Sequence, residues 1–212
     1  MYAAIGASET VGVGTDIPAE QAWPEVFRRM ALPYAEFHNL GRSGSTTAEA
    51  LQEQVPQAVA MEPDIVTVWL NVNDLLSLVP PGTYEEQLGT LVHELRRGGA
   101  TQVLVATTPR LESLPAYLAC RPSPPPATPA CPLDFQLPPA ALIQLAVDAY
   151  NAAIVRVSER EGAILVDLGV FGDAPAEHPE YVAADGFHPS TEGAAAVAGA
   201  FADALLTSGM PR

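Results

Sequence analysis

Ser8, Asp185 and His188 are a hydroxyl, a carboxylate and an imidazole in the order serine, acid, base, with the serine near one end of the chain and the other two near the opposite end. A serine hydroxyl is a poor nucleophile at neutral pH unless a neutral imidazole takes its proton, and the imidazole does this best when a carboxylate holds its tautomer. The pattern reads as an acyl-transfer centre on one condition, that the two ends of the chain meet in space. Each residue also has a plainer reading. Ser8 follows Gly6-Ala7 as a turn or helix-cap residue would; His188 serves equally to hydrogen-bond a loop, and Asp185 to accept backbone donors.

The elements that must bring them together are visible as periodicity. Strand-like aliphatic runs at 2–5, 35–40, 64–70, 102–107 and 163–168 are bounded by Gly, Asn, Asp or Pro. Helical patterns cover 19–30, 47–61, 84–97, 139–161 and 191–206. Pro24 and Pro56 fall inside two of them and predict a late start or a kink. Strands alternating with helices predict a parallel sheet with helices on both faces, because parallel strands need long crossovers. In such sheets reactive groups gather beyond the carboxyl ends of the strands. Ser8, Gly44, Asn73 and the segment after Thr107 all fall there. Asp185 and His188 lie three positions apart on a turn into the last helix, which Ser190 or Thr191 can cap.

The connection 109–138 is too long for a turn and carries Leu111, Leu114, Tyr117, Leu118, Leu133, Phe135 and Leu137; it reads as a lid or pocket wall. Leu75, Leu76, Leu78 and Val79 read as either lining of an apolar groove or ordinary core. At 212 residues, 48% of them hydrophobic, the chain reads as one domain over 1–212. Ten basic against 25 acidic residues give a net charge of −15, which disfavours nucleic acid and anionic lipid as partners. The continuous apolar stretches are strand-length, short of the roughly 20 residues of a membrane span. Residues 2–5 already read as a strand, so no leader is expected within this chain. Cys120 and Cys131 bracket Pro122, Pro124, Pro125, Pro126 and Pro129, which points to a local disulfide and an oxidising compartment, secreted or cell-envelope; the alternative is two free thiols in a cytosolic protein. No histidine or further cysteine nearby completes a zinc site with this pair.

Four segments together resemble the SGNH (GDSL-like) hydrolase family. Gly6-Ala7-Ser8-Glu9-Thr10-Val11-Gly12-Val13-Gly14-Thr15 is similar to its first block, Asn39-Leu40-Gly41-Arg42-Ser43-Gly44-Ser45-Thr46 to its second, Asn71-Val72-Asn73-Asp74 to its third, and Asp185-Gly186-Phe187-His188-Pro189 to its last. The resemblance implies a flavodoxin-like three-layer α/β/α sandwich with a five-stranded parallel sheet. It implies Ser8 as nucleophile, His188 as base and Asp185 as the orienting acid. The oxyanion hole would be the N–H groups of Ser8 and Gly44 with the Asn73 amide. No cofactor or metal is called for, and the partner is a small-molecule ester. Two positions depart from the family: Ala7 stands where it usually has Asp, and Asn71 where it has Gly.

The expected reaction is hydrolysis of short-to-medium acyl esters. Carbohydrate O-acetyl esters, lysophospholipids and thioesters use the same residues and stay open, as do acyl transfer and oligomeric state. A non-catalytic binding module on the same fold is the second alternative. A phosphate or flavin binder would need a glycine-rich turn that Gly12-Val13-Gly14 does not continue. Asn73-Asp74 as a simple turn, and Gly41 and Gly44 as turn glycines, are the plain readings of those blocks. Ser43, in the near-elbow Gly41-Arg42-Ser43-Gly44-Ser45, is a poor rival to Ser8 because the last position is not glycine. His38, His93 and His178 read as structural or surface residues.

Overall fold

The computed structural model describes residues 1–124, 130–131, 136–171 and 174–209. Pro125, Pro126, Pro129, Leu133 and Phe135 lie outside them. Five strands, β1 (Tyr2–Gly6), β2 (Phe37–Asn39), β3 (Ile65–Trp69), β4 (Gln102–Ala106) and β5 (Ile164–Val166), form one sheet in the order β2-β1-β3-β4-β5. Every pairing is parallel. The helices are α1 (Ser8–Val11), α2 (Pro18–Gln21), α3 (Trp23–Ala31), α4 (Thr47–Glu53), α5 (Val55–Met61), α6 (Val72–Leu76), α7 (Pro81–Arg96), α8 (Pro115–Cys120), α9 (Ala140–Glu161), α10 (Ala174–Glu177) and α11 (Thr191–Thr207).

The two prolines act as the periodicity predicts. The pattern over 19–30 divides into α2 and α3, with Pro24 in the first turn of α3, and that over 47–61 divides at Gln54, with Pro56 in the first turn of α5. A first turn has no intrahelical partner for that N–H, so proline costs nothing there. The short helices α1, α6 and α8 had no periodic signature, being too brief for one.

Side chains alternate across the strands, so each strand feeds two cores. Ala3, Ile5, Val66, Val68, Val103 and Val105 pack with α4, α5, α7 and α9. Tyr2, Ala4, Ile65, Trp69, Leu104 and Ala106 pack with α3 and α11, where Trp23 stacks on Phe201 at 4.2 Å between ring centroids. With helices on both faces the sheet is a flavodoxin-like three-layer α/β/α sandwich.

Helix α9 departs from the expectation that no segment reaches a spanning length. Its 22 residues have a mean hydropathy of 1.3 over their most apolar window, enough by length and composition to cross a membrane. One stripe of it, Ile143, Val147, Tyr150, Ile154 and Val157, is buried in the core, and Tyr150 stacks on Tyr84 of α7 at 4.3 Å. Its apolar content reflects a helix packed along one face, interrupted by Asp148 and Arg156.

The sheet is tied to the next layer by one buried amide. Gln54 is 0% exposed. It accepts from Gly6 N at 3.0 Å and donates to Gly6 O at 3.0 Å and Ser45 Oγ at 3.2 Å. Gly6 itself leaves no room for a side chain, since a Cβ there would lie 1.9 Å from Thr10 Oγ1. The clamp joins the last residue of β1 to the turn before α4. Gln54→Leu would strand the Gly6 N–H without its partner, and should lower unfolding free energy by about 1–3 kcal/mol in chemical denaturation. The exposed Gln57→Leu should leave the midpoint unchanged.

Candidate active site

The strand order reverses between β1 and β3, and open α/β sheets bind ligands in the crevice beyond the carboxyl ends at such a point. Here β1 and β3 end in register, Gly6 opposite Trp69. Two residues after Gly6 comes Ser8, and four after Trp69 comes Asn73. The far end of the chain arrives over the same crevice through the loop before α11. Ser190 caps that helix by accepting from Gly193 N at 3.1 Å, so the loop enters on a fixed support.

The chain ends do meet. His188 Nε2 lies 3.0 Å from Ser8 Oγ, and His188 Nδ1 lies 2.6 Å from Asp185 Oδ2. The other oxygen of Asp185 accepts the backbone N–H groups of Phe187 at 2.8 Å and His188 at 3.0 Å. Burial pushes the Asp185 carboxyl up, but the His188 hydrogen bond and the two amides outweigh it and hold the group below its ordinary range. A carboxylate kept ionised beside Nδ1 keeps the proton there and leaves Nε2 as the acceptor facing Ser8.

The second block is pinned onto the end of β1 and onto α1. Arg42 N donates to Gly6 O at 3.1 Å, and Asn39 Nδ2 donates to Thr10 O at 2.7 Å. Gly44 has φ +82°, a conformation that glycine adopts without strain. Ser8 opens α1, where the backbone N–H has no intrahelical acceptor. Among the described residues the Gly44 N–H likewise donates to no protein group. Asn73 Nδ2 donates one hydrogen to Ser45 O at 3.1 Å, which orients the amide and leaves its second hydrogen for a ligand.

Asp74, beside it, is buried and accepts from Thr47 N through both oxygens, at 3.1 and 3.0 Å, and from Thr47 Oγ1 at 3.1 Å. Burial raises its carboxyl above the usual range, and Thr47 only partly offsets this. Asp74 thus fastens α6 to the N-terminus of α4, and Asn73 to the Gly44–Ser45 turn.

Two cavities meet at His188. The larger, about 280 Å³, is walled by Leu75, Leu76, Leu111, Leu114, Tyr117 and Ile143. The smaller, about 100 Å³, contains Glu9, Trp69, Arg110, Phe171, Tyr181 and Phe187. Leu78, 83% exposed, lines neither cavity, and Val79 packs against the core. Within the long connection, Cys120 and Cys131 are joined by a disulfide, Tyr117 Oη donates to Pro138 O at 2.9 Å, and Ala116 N donates to Gly186 O at 3.0 Å. The last bond props the loop that carries Asp185 and His188.

The remaining candidates lie elsewhere. Ser43 is exposed and makes no side-chain hydrogen bond among the described residues. His38, His93 and His178 each sit by a surface glutamate, at 3.1, 3.2 and 3.0 Å. Ala7 precedes α1 with no side-chain cap, its carbonyl taking Thr10 N and Val11 N. Asn71 is buried, with its Nδ2 unpaired among the described residues. Sequence reading assigned no role to Gln54, Asp74 or Glu9. The signal for Gln54 was a polar side chain at helical spacing from Ala50 and Ala58; for Glu9, a charge directly after the serine.

A sequence profile of the GDSL-like lipase/acylhydrolase family matches residues 4–196. Curated protein sequences include no match to the chain. Among solved structures the chain is similar to the lipase/acylhydrolase from Enterococcus faecalis, with 21% identity, TM-score 0.70, and 100% of this chain and 98% of that one covered. It is also similar to the psychrotrophic esterase EstA from Pseudoalteromonas sp., in a structure inhibited by monoethylphosphonate, with 15% identity, TM-score 0.68 and coverages of 98% and 97%. The extracellular lipase from Streptomyces rimosus follows at 16% identity, TM-score 0.63 and coverages of 97% and 98%. At these identities the structural likeness speaks for the fold, and the profile, running from β1 into α11, speaks for descent. The chain therefore belongs to the GDSL-like lipase/acylhydrolase family, as a carboxylic ester hydrolase of the GDSL type.

Proposed function

We propose that Ser8, His188 and Asp185 form the catalytic triad and that the N–H groups of Ser8 and Gly44 with the Asn73 amide form the oxyanion hole. The observation that carries this reading is the unbroken hydrogen-bond chain from Ser8 Oγ through His188 to Asp185. Ser8 Oγ attacks the ester carbonyl while His188 Nε2 takes its proton. The developing oxyanion accepts the three donors, which are fixed before the reaction and cost no reorganisation during it. The C–O bond then breaks, and His188 passes the proton to the departing alcohol. Water attacks the acyl-enzyme through the same base, releasing the acid and restoring Ser8.

The acyl arm is assigned to the larger cavity, whose walls are aliphatic apart from Tyr117 and Phe187 and which reaches Asp185 and His188. The presence of Leu111, Leu114, Ala116, Tyr117 and Leu137 in its lining supports reading the 109–138 connection as a pocket wall within a single domain. The substrate class that fits is short-to-medium, uncharged acyl esters. Each methylene that enters should strengthen binding by at most about 0.8 kcal/mol until the cavity is full.

Ser8→Ala should abolish ester hydrolysis with an unchanged melting curve, and a serine-directed phosphonate should label Ser8 as mapped by mass spectrometry. Adduct on Ser43 instead would move the nucleophile. Asn73→Ala should lower kcat by about 10²–10³-fold with a smaller effect on KM, since its free hydrogen acts on developing charge. Asp185→Asn should lower kcat on the order of 10⁴-fold by mis-setting the imidazole tautomer, with His38→Ala silent in the same steady-state assay. In a panel of chromogenic esters of rising acyl length, kcat/KM should climb and then fall. Activity confined to acetyl groups on sugars would place the enzyme among carbohydrate esterases.

A further inference from the structure

Glu9 has no part in the acyl transfer proposed above, yet it stands beside the nucleophile. Its Oε2 is 3.4 Å from Ser8 Oγ, too long to compete with His188 at 3.0 Å for the hydroxyl proton. The side chain is half-buried on the wall of the smaller cavity, which Trp69, Phe171, Tyr181 and Phe187 also line. Among the described residues, the other charged or titratable side chains on that cavity, besides Tyr181, are His188 and Arg110. His188 is engaged by Asp185, and Arg110 stands 3.7 Å from Glu112.

An ester has two arms, and the larger, mainly aliphatic cavity accounts for only one of them. The smaller cavity is lined by Pro189, Gly193, Ala196 and Val197 together with His188, the residue that hands its proton to the departing alcohol, and the alcohol arm is assigned to it. Aromatic side chains lining a cavity together with a carboxylate are the chemistry that attracts an ammonium group, through the ring quadrupoles and through the charge. The same carboxylate repels an anion held at that distance. A net charge of −15 on the whole chain biases encounter in the same direction.

We propose that Glu9 is a specificity-determining residue, which directs the smaller cavity to esters of alcohols carrying an ammonium group and against those carrying an anion. This rests on the reading of Ser8 and His188 as nucleophile and base.

The test uses three butyrate esters of matched alcohols: choline, 3,3-dimethylbutanol, which replaces the trimethylammonium by its neutral isostere, and 2-sulfoethanol. Assays run as a pH series, because burial raises the Glu9 carboxyl and its charge is favoured as pH rises. In the wild-type protein kcat/KM should fall from ammonium to neutral to sulfonate, by about tenfold or more at each step, a difference of about 1.4 kcal/mol. Glu9→Gln keeps the size and removes the charge, and should bring the ammonium-to-neutral ratio to within about threefold, the residue left to the rings. Because ratios are compared within one protein, a general loss of activity does not disturb them. An absent charge preference in the wild type overturns the proposal, even if Glu9→Gln fails to fold. An unchanged ratio in the folded variant also overturns it, and a preference for the sulfonate assigns the pocket to Arg110. The two readings fail separately: hydrolysis surviving in Ser8→Ala sinks the triad, whereas an inactive Ser8→Ala with a Glu9-independent ratio sinks only the role of Glu9.

Discussion

The parallel pairing of β1 with β3, ending at Gly6 opposite Trp69, is the constraint on which the site depends. Because the two strands stop together at the point where strand order reverses, the segments that follow them must diverge and leave a crevice between. One segment begins with Ala7-Ser8, the other with Leu70-Asn71. Every other contributor, the Gly44 turn and the loop of Asp185 and His188, is measured from that edge. Gly6 has to be glycine there, since Thr10 and the Trp69 carbonyl occupy the space a side chain would need.

Loops and one-turn helices supply the polar groups at the site, and segments so short are imprecise when left to themselves. Precision comes from buried polar side chains that each bind two segments. Gln54 holds the end of β1 to Ser45, Asp74 holds α6 to Thr47, and Asn151 of α9 accepts from Thr108 N at 2.8 Å and donates to Thr108 O at 3.0 Å beyond β4. Such groups cost desolvation and are tolerated only when their hydrogen bonds are made. Asp74 shows the cost directly in its raised carboxyl. The acid–base loop has a lighter support, the Ala116 N–H on Gly186 O, carried by a helix inside the disulfide-bearing connection. That links the wall of the acyl cavity to the geometry of His188.

Two carboxylates flank the same imidazole with opposite outcomes. Asp185 is held below its ordinary range because the donors aimed at it outweigh burial, whereas Glu9 is lifted because burial outweighs its own backbone N–H, His188 and Ser8. The first is built to be an anion in every protonation state of His188. The second lines the smaller cavity, where burial disfavours its charge.

What the sequence determined by itself was whatever short-range pattern encodes. Aliphatic runs of strand length and amphipathic helices between them specify a parallel sheet, and the four blocks around Ser8, Gly44, Asn73 and His188 mark the turns at its carboxyl edge. Pro24 and Pro56 marked the helix starts because their effect is local. Tertiary structure alone decided what lies between segments far apart in the chain. Gln54 and Gly6 are 48 residues apart, and Asp74 and Thr47 are 27 apart. No periodicity registers such partners, because a buried hydrogen bond depends on how layers stack, not on spacing along one element. Glu9 was in plain view beside Ser8, yet only the fold brings Trp69, Phe171, Tyr181 and Phe187 to the same cavity wall and turns a surface-type residue into part of a pocket.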